Sequence, residues 1–343
     1  MKKIKVLYLV NFAPNYRESF LRELGKFVDL TVTSYVGLEA NLVDPQERLG
    51  YKYIPLKRYR VFGFNLNIKE YLLGAKDFDV IIVGYTLWNP FRMFNLLRLH
   101  SRVICEGLIY GRSNSFFTKL LRNFFISRSE GVLVYSDSIK HRLTQETSKP
   151  VLSFNNTSYS KNEIVPKCMS PFNGKLNILW VGRYQRRKKI ERLYDLAKND
   201  PRVYIRVIGP GTQEAFAVYP VLDNFEVIDA VYDSGLDDYF EWSHVVFNPG
   251  HAGLLVMNAA RCGRAIVIDK YSHHAGEIQL AIEANQDFID FSDKKIVQQY
   301  IDGILAEPDY LRLKGKEIAA HMERYTIEYM SSIYLKAIKG QWN

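Results

Sequence analysis

The chain has 343 residues, of which 47% are hydrophobic and 24% charged, and its formal net charge is +9. This composition is typical of a folded globular protein and argues against a disordered or membrane-spanning chain, while the length predicts two domains because single cores rarely exceed about 250–300 residues. The apolar runs fall short of the roughly 18 residues of a membrane span, and Met1–Lys5 leads into a strand instead of a signal peptide.

The charge is unevenly distributed along the chain. Residues 1–165 contain 24 Lys and Arg against 14 Asp and Glu, a balance of +10, whereas residues 166–343 contain 22 against 23, a balance of −1. A basic first half suits a phosphate-rich membrane surface or nucleic acid, and a neutral second half suits a small ligand. A basic surface that serves only solubility explains the charge equally well.

Cys105, Cys168 and Cys262 lack the spacing of a metal site or a disulfide framework, which favours a reducing cytosol.

The first half begins with the pattern of a doubly wound parallel sheet. Lys5–Val10 is an almost continuous apolar run, which indicates a strand buried on both faces. A loop, a helix from about Tyr16 to Lys26 and a strand at Asp29–Ser34 follow it. Further strands are predicted at residues 51–55, 80–83, 103–106 and 131–135.

Three segments of the first half combine basic and aromatic residues. Residues 57–64 interleave three cations with three aromatic rings on a predicted loop, a pattern that can bind single-stranded nucleic acid. Nothing else resembles a nucleic-acid module, so no nucleic-acid partner is expected. Residues 88–102 and 116–128 place aromatic residues and leucines beside spaced Lys or Arg, as helices in a membrane interface do. Packing against the protein's own core is the alternative for both segments.

A second α/β series follows a polar linker at residues 155–173. Its predicted strands are residues 176–181, 203–208, 225–228, 245–247 and 265–268, and its predicted helices are residues 190–199, 236–242 and 253–261. The last segment, residues 308–339, is predicted to be helical throughout. We therefore expect an N-terminal domain at residues 1–160, a C-terminal domain at residues 174–324, and a terminal helix at about 325–343 that packs back on the first domain.

Two glycine turns in the second half follow buried strands. Gly182–Lys189 offers a glycine turn with Arg183 and Lys188, which are suited to a diphosphate because Arg supplies a bidentate fork and Lys a compact charge. The other cations of this turn, Arg186, Arg187 and Lys189, are expected to be solvated. Gly209-Pro-Gly211 ends the next strand and brings backbone close to the same place, although it could be a plain turn.

The stretch Val246–Asp269 reads as a strand, a Pro-Gly turn, a short helix and a second strand. A helix that starts straight after a strand presents unpaired N–H groups, which can bind an anion. An ordinary βαβ unit without a ligand is the alternative.

These motifs resemble those of GT-B glycosyltransferases of family 4. The residues Val181-Gly-Arg-Tyr with Lys188, then Ile208-Gly-Pro-Gly211, then Asn248 to Gly263 match that family's GR-x4-K, GxG and E-x7-E motifs in order and spacing. The resemblance covers residues 176–285 well and the first half only through its layout and residues 15–24. It implies an α/β fold of the GT-B class, with two Rossmann-like doubly wound domains facing a central cleft. The second of these domains would bind a nucleotide sugar.

The family assigns roles to particular positions. The resemblance implies that Arg183 and Lys188 bind the donor phosphates, assisted by the N–H groups of Gly253 and Leu254. The full set of donor-binding residues implied in this way is Gly182, Arg183, Lys188, Gly209, Gly211, Val231, Tyr232, Gly250, Gly253, Leu254 and Asn258. Val231 or Tyr232 would lie near the base, and no metal ligand is expected.

The chain departs from the family at both motif carboxylates. Gly250 stands at the position of the Glu that contacts the sugar, and Asn258 at the position of the Glu that holds the ribose. Some bacterial GT-B enzymes of surface-polysaccharide synthesis have a Pro-Gly-x-x-Gly-Leu pattern that this stretch resembles. His251 and Glu277 are candidate catalytic residues here, with structural roles as their alternatives.

In the first domain, Glu106 follows a strand where the family often has a His that faces the donor sugar. A carboxylate there could act as general base or orient an acceptor hydroxyl, or it could be a surface or salt-bridged residue. Tyr16 and Arg17 would flank the acceptor.

We therefore expect a metal-independent, hexosyltransferase-like glycosyltransferase, for which the family implies retention of configuration. It would use no cofactor besides a nucleoside-diphosphate sugar as co-substrate. Its acceptor would be a glycan or a polyprenyl-pyrophosphate-linked glycan of O-antigen or capsule assembly. The expected location is the cytoplasm, peripheral on the inner membrane. A GT-B nucleotide-sugar epimerase and a non-catalytic nucleotide-sugar-binding protein are the alternatives.

Overall fold

Two parallel sheets organise the chain, one in each of two structural units. The structure, a computed structural model, describes residues 2–35, 48–74, 76–98, 101–110 and 115–343. Unit 1 comprises Met1–Ser158 and Thr326–Asn343, and unit 2 comprises Tyr159–Tyr325.

The sheet of unit 1 has seven strands in the order β3-β2-β1-β6-β7-β8-β9, and all of their pairings are parallel. The strands of this unit, with a separate two-stranded hairpin formed by β4 and β5, are β1 (Lys5–Leu9), β2 (Asp29–Tyr35), β3 (Lys52–Leu56), β4 (Arg60–Val61), β5 (Phe64–Asn65), β6 (Val80–Gly84), β7 (Arg102–Gly107), β8 (Gly131–Val134) and β9 (Val151–Ser153). Its helices are α1 (Asn15–Phe27), α2 (Lys69–Gly74), α3 (Pro90–Met93), α4 (Phe116–Ser127), α5 (Asp137–Thr144) and, from the end of the chain, α13 (Ile327–Ile338).

The sheet of unit 2 has six parallel strands in the order β12-β11-β10-β13-β14-β15. These strands are β10 (Leu176–Val181), β11 (Val203–Ile208), β12 (Phe225–Ile228), β13 (Val245–Asn248), β14 (Ala265–Asp269) and β15 (Asp287–Ile289). The helices are α6 (Glu191–Asn199), α7 (Thr212–Phe216), α8 (Asp237–Trp242), α9 (Leu255–Arg261), α10 (Ile278–Glu283), α11 (Lys294–Ala306) and α12 (Asp309–His321).

Continuous apolar runs form the central strands because both faces of each sheet are covered. In β1, Val6 and Tyr8 belong to one apolar cluster of unit 1, whereas Leu7 and Leu9 belong to a second cluster. All four are at most 2% exposed. Alternate side chains thus enter opposite layers, as the pleat of a doubly covered parallel sheet requires.

Three of the predicted elements are wrong in part. The final segment is not one helix, because α12 ends at His321 and α13 starts after Thr326, whose side chain accepts a hydrogen bond from the N–H of Tyr329. In residues 88–102, helical structure in the described part is limited to α3 and a 3₁₀ turn at Phe94–Leu97; residues 99–100 lie outside the described part, and Arg102 begins β7. Residues 57–64 are not a plain loop, since they form most of the β4–β5 hairpin, whose turn residues Phe62 and Gly63 have φ of 47° and 84°.

A fully buried ion pair holds the strand ends of unit 1. Glu70 and Arg92 are both 0% exposed, and Arg92 Nη2 lies 2.5 Å from Glu70 Oε1. Arg92 also donates to Asn11 Oδ1 (2.7 Å) and to the carbonyl of Val10 (2.8 Å), and Asn89 Nδ2 donates to Glu70. The pair therefore ties α2 and α3 to the loop after β1.

We expect Glu70→Ala to lower the free energy of unfolding by about 3–5 kcal/mol, because it leaves the Arg92 charge buried without its partner. Urea unfolding followed by circular dichroism measures this. The control is Glu226→Ala, which removes a 41%-exposed partner of Arg206 and should cost less than about 1 kcal/mol. Equal losses in the two variants would contradict a special role of the buried pair.

Candidate functional site

In unit 2, the loops after β10 and β11 touch backbone to backbone. Gly182 and Gly209 both have positive φ, at 152° and 143°. A Cβ added to Gly209 would lie 2.2 Å from the carbonyl oxygen of Gly182. Two hydrogen bonds join the loops, from Gly182 N–H to Ile208 O (2.9 Å) and from Tyr184 N–H to Pro210 O (2.9 Å). Glycine is needed at Gly209 because a side chain there would separate the two loops, and it is favoured at Gly182 by the positive φ.

The ammonium group of Lys188 lies on this glycine contact. A Cβ at Gly182 would be 2.8 Å from Lys188 Nζ, which lies 5.3 Å from the centroid of the Trp180 ring. Burial, together with the neighbouring charges of Arg187 and Arg183, lowers the pKa of Lys188 to about 8. Within the described residues, neither Lys188 Nζ nor the Arg183 guanidinium has a hydrogen-bond or ion-pair partner. The turn therefore presents two unneutralised cations, one of them largely buried.

Gly250 packs against the backbone of the same turn. A Cβ at Gly250 would lie 2.5 Å from both the carbonyl carbon and the carbonyl oxygen of Lys188. The N–H of His251 donates to Arg187 O at 3.0 Å. At residue 250, where the sequence resemblance predicts the loss of a Glu, this chain thus has no room for any side chain. The missing carboxylate is a requirement of the packing that fixes Lys188.

His251 has one ring nitrogen engaged. Its Nδ1 lies 2.6 Å from the carbonyl oxygen of His273, and because a carbonyl only accepts, Nδ1 carries the proton. Burial lowers the pKa of His251, and Arg187 and Lys188 add to this effect against the raising effect of the carbonyl. The neutral ring therefore keeps Nε2 as an acceptor, next to the cations.

His274 is structural. Its Nδ1 accepts from the N–H of Ala252 (3.1 Å), while its Nε2 donates to the carbonyl of Asp269 (2.9 Å). Burial lowers the pKa of His274, which favours this neutral form with both nitrogens used.

The other predicted donor-binding residues lie on neighbouring elements. The Oδ1 of Asn258, on α9, accepts a hydrogen bond from the hydroxyl of Tyr159, and its Nδ2 is left as a donor for a ligand. Glu277 is buried at the residue before α10. Gly253 and Leu254 precede α9, and their N–H groups have no acceptor among the described residues. Gly211 is the N-cap residue of α7 and has φ of 79°. Val231 packs against the apolar core of unit 2, whereas Tyr232 is 63% exposed.

Asp269 is a buried carboxylate beside these turns that the sequence analysis missed. It ends β14, is 1% exposed, and accepts hydrogen bonds from Ser272 Oγ (2.5 Å) and the N–H of Phe291 (3.3 Å). Its carboxylate also pairs with Lys189 at 3.4 Å and Arg192 at 3.5 Å. The prediction that Lys189 is merely solvated is therefore wrong. The sequence feature that could have identified Asp269 is its position at the carboxyl end of an otherwise apolar strand.

Unit 1 contains a cavity of about 630 Å³, called the first cavity, lined among others by Tyr16, Arg17 and Glu106. Arg17 lies in the first turn of α1 and is 7% exposed. Its Nη2 donates to the hydroxyl of Tyr135 at 2.6 Å, and Nη1 has no partner among the described residues. A buried donor without an acceptor is costly, so Nη1 is suited to an anionic or hydroxyl-bearing ligand in this cavity.

Glu106 is a buried carboxyl group and not a surface residue. It lies in β7, is 3% exposed, and accepts a hydrogen bond from the Tyr334 hydroxyl at 3.2 Å. Tyr8 extends the network, with its hydroxyl 3.4 Å from that of Tyr334. Burial raises the pKa of Glu106, although the charge of Arg17 opposes the rise. A carboxyl group with a raised pKa is a suitable proton acceptor for chemistry near neutral pH.

Comparison with known proteins identifies the fold. Neither a family model nor a curated protein matches the chain. Among solved structures, Anabaena HepE in complex with UDP is similar, with a TM-score of 0.72 at 12% identity over 98% of this chain and 100% of that one. Sucrose-phosphate synthase from Thermosynechococcus elongatus matches with a TM-score of 0.68 at 13% identity, covering 98% of both chains.

A putative UDP-N-acetylglucosamine 2-epimerase from Listeria monocytogenes is also similar. Its TM-score is 0.65 at 13% identity, over 99% of this chain and 97% of that one. These likenesses show a fold of the GT-B type, and with the two parallel sheets they confirm the predicted fold class.

We expect Gly250→Ala to destabilise unit 2 by about 1–3 kcal/mol, because its Cβ would overlap the backbone of Lys188. The matched control is Gly253→Ala, whose Cβ would meet nothing closer than 3.9 Å and should change stability by less than about 1 kcal/mol. Urea unfolding of both variants is the measurement. If Gly250→Ala were as stable as Gly253→Ala, the close packing would be disproved.

Proposed function

We propose that the chain is a glycosyltransferase that moves a sugar from a nucleoside-diphosphate donor held by unit 2 to an acceptor held by unit 1. The observation that carries the proposal is the unneutralised pair Arg183 and Lys188 on the glycine contact after β10 and β11. A diphosphate is the ligand that suits a guanidinium fork, a compact ammonium and closely approachable glycine backbone. Binding of UDP by HepE, which has the same fold, supports this assignment.

In this proposal the cations also drive the reaction. Negative charge grows on the leaving diphosphate as the bond to the sugar breaks, and Arg183 and Lys188 stabilise it. The free N–H groups of Gly253 and Leu254 add two donors. Asn258 Nδ2 is assigned to a ribose hydroxyl, and Tyr232 to the base.

The acceptor is activated by Glu106 in the same proposal. Its raised pKa makes the carboxylate a better proton acceptor for an acceptor hydroxyl than an exposed Glu would be. His251 Nε2 and Glu277 are assigned to the donor sugar, in place of the carboxylate that Gly250 cannot provide. Catalysis without a metal ion belongs to the proposal, since Arg183 and Lys188 supply the positive charge that a diphosphate needs. Retention of configuration belongs to it through the sequence resemblance to family 4 alone.

A second candidate function is epimerisation of a nucleotide sugar, which the similarity to the Listeria protein favours. Incubation with a panel of nucleotide sugars separates the two functions. A transferase yields nucleoside diphosphate and a glycosylated acceptor, whereas an epimerase changes the sugar of the donor without any acceptor. Proton NMR of the products distinguishes these outcomes and reports the anomeric configuration.

We expect Lys188→Ala to weaken UDP binding by about tenfold to a hundredfold, which corresponds to one or two charge-assisted hydrogen bonds. With a pKa of about 8, the ammonium is charged below pH 8 and loses its proton above it. UDP affinity of the wild type should therefore fall between pH 7 and pH 9.5. Isothermal titration calorimetry at these pH values measures both effects.

Two further variants control this prediction. Lys188→Arg should keep most of the affinity and lose the pH dependence, because arginine stays charged. Arg186→Ala removes an exposed cation of the same turn and should bind UDP like the wild type. Unchanged UDP affinity in Lys188→Ala would refute the donor site.

We also propose that α4 attaches the protein to an anionic membrane surface, where a lipid-linked acceptor resides. No described helix is long and apolar enough to span a membrane. The apolar residues exposed on α4 are Phe116 (75%), Phe117 (74%), Leu120 (56%), Leu121 (45%) and Phe124 (43%). Lys119 and Arg128 are exposed beside them, which is the composition of an interfacial helix. The lipid-linked glycan acceptor, surface-polysaccharide synthesis and a location on the cytoplasmic face of the inner membrane rest on this surface.

We expect Lys119→Gln/Arg128→Gln to lower the affinity for phosphatidylglycerol liposomes at low salt by about thirtyfold in a pelleting assay, since each of the two cations near an anionic surface contributes about 1 kcal/mol. Phe116→Ser/Phe117→Ser should weaken pelleting at every salt concentration. Arg122 is left unchanged because it is 4% exposed and paired with Glu146 at 2.5 Å. The control, Lys198→Gln/Lys295→Gln, removes two exposed charges from unit 2 and should pellet like the wild type. Equal pelleting of all variants would rule out α4.

A further inference from the structure

We propose that unit 1 contains a second cavity that binds an oxyanion carried on a glycan, either the carboxylate of an acidic sugar or a sugar phosphate. This cavity has a volume of about 320 Å³ and is lined among others by Arg58, Arg60, Asn65 and Trp88. As the acceptor subsite of a glycosyltransferase it rests on the proposed function, but the binding itself does not depend on a donor.

The β4–β5 hairpin forms one wall of the second cavity and is fixed to Trp88. Asn65 N–H donates to the carbonyl of Trp88 at 2.7 Å, and the rings of Phe64 and Trp88 lie 5.3 Å apart between centroids. The turn at Phe62 and Gly63, both with positive φ, reverses the chain tightly. The hairpin and the Trp88 loop therefore form one wall, with 63% of Trp88 exposed.

The charge on this wall is not neutralised within the described residues. Arg58 and Arg60 are exposed, and neither has an ion-pair or hydrogen-bond partner there. Exposed arginines alone are common on protein surfaces, so they would not define a site. Two of them on one cavity wall, with no carboxylate among the residues that line it, offer the bidentate geometry that carboxylates and phosphates prefer.

Asn65 provides the independent observation. It is 6% exposed, lines the second cavity, and its Oδ1 has no hydrogen-bond donor among the described residues. A buried acceptor left without a donor is unfavourable unless a ligand satisfies it. A sugar hydroxyl is a donor of the required kind, so Asn65 indicates a polyhydroxylated ligand and not a bare anion.

The position of the cavity connects it to the proposed acceptor site. Asn11, Phe12, Thr86 and Trp88 line both the first and the second cavity. A glycan whose reacting sugar lies near Glu106 in the first cavity can thus extend along Phe12 and Trp88 and place its next, acidic unit against Arg58 and Arg60. Single-stranded nucleic acid fits less well, because its bases stack on successive aromatic side chains along a groove. The second cavity is small, and its buried acceptor, Asn65 Oδ1, suits a hydroxyl group as donor.

Ligand-observed NMR titrations of the full chain without any donor test the proposal. The probes are cellobiouronic acid, neutral cellobiose, glucose 1-phosphate and a ten-nucleotide oligo(dT). We expect at least one acidic sugar to bind ten times more tightly than cellobiose and to weaken as salt increases. Carboxylate and phosphate sources are distinguished by which acidic probe binds more tightly.

Variants separate a specific site from general charge. Arg58→Gln/Arg60→Gln should bind the acidic probe no more tightly than cellobiose, and Trp88→Leu should weaken both sugars. Lys198→Gln/Lys295→Gln removes the same number of charges elsewhere and should behave like the wild type. A thermal melt and an unchanged UDP affinity show that the variants are folded.

Three results would overturn the proposal. These are equal binding of acidic and neutral sugars by the wild type, an unaltered preference in the Arg58/Arg60 variant, and oligo(dT) as the tightest probe. Loss of the proposed function has a different signature, since it shows as absent UDP binding or transfer while the acidic sugar still binds.

Discussion

The close backbone contact among the turns that contain Gly182, Gly209 and Gly250 is the constraint on which the candidate donor site depends. Gly209 and Gly250 face main-chain atoms at distances that exclude a Cβ, and a Cβ at Gly182, whose φ is 152°, would displace the end of Lys188. Because of this contact, the Lys188 ammonium lies at the end of the sheet, next to Arg183 and against the Trp180 ring. It also removes the space that an acidic side chain at residue 250 would occupy. A site built in this way has to bind by positive charge and backbone N–H groups.

Two buried arginines of unit 1 show how structural and ligand-binding roles can be told apart. Arg92 uses Nε, Nη1 and Nη2 in hydrogen bonds to Glu70, Asn11 and Val10, so its charge is fully neutralised inside the protein. Arg17 is similarly buried but uses only Nη2, toward a neutral Tyr135 hydroxyl. Because Arg17 Nη1 is a buried donor without an acceptor among the described residues, Arg17 gains most from an anionic or polar ligand. Arg92 holds the scaffold, and Arg17 is available for binding.

The sequence allowed the sheets and the donor-site turns to be predicted in some detail. The predicted bounds of residues 176–181, 203–208 and 225–228 coincide with β10, β11 and β12, because short, mainly apolar runs bounded by turn residues leave little choice. The three-residue strands β9 and β15 were missed, since so short a run carries almost no periodic signal. The packing of Gly250 on Lys188 was also beyond prediction, as it joins residues 62 positions apart through main-chain atoms that every residue shares.

Charge in the first half illustrates the same limit. Its balance of +10 counts the cations in excess of carboxylates, but it does not say which cations are paired. Arg92 pairs with Glu70, Arg102 with Glu130 and Arg122 with Glu146. The cations that remain without carboxylate partners in the described part include Arg58 and Arg60 on the hairpin and Lys119 and Arg128 on α4, and both groups lie beside exposed aromatic rings. Unpaired cations beside aromatic surface are what an amphiphilic, negatively charged molecule requires. The net charge therefore gives only the number of excess cations, whereas the fold shows which cations are unpaired and where they lie.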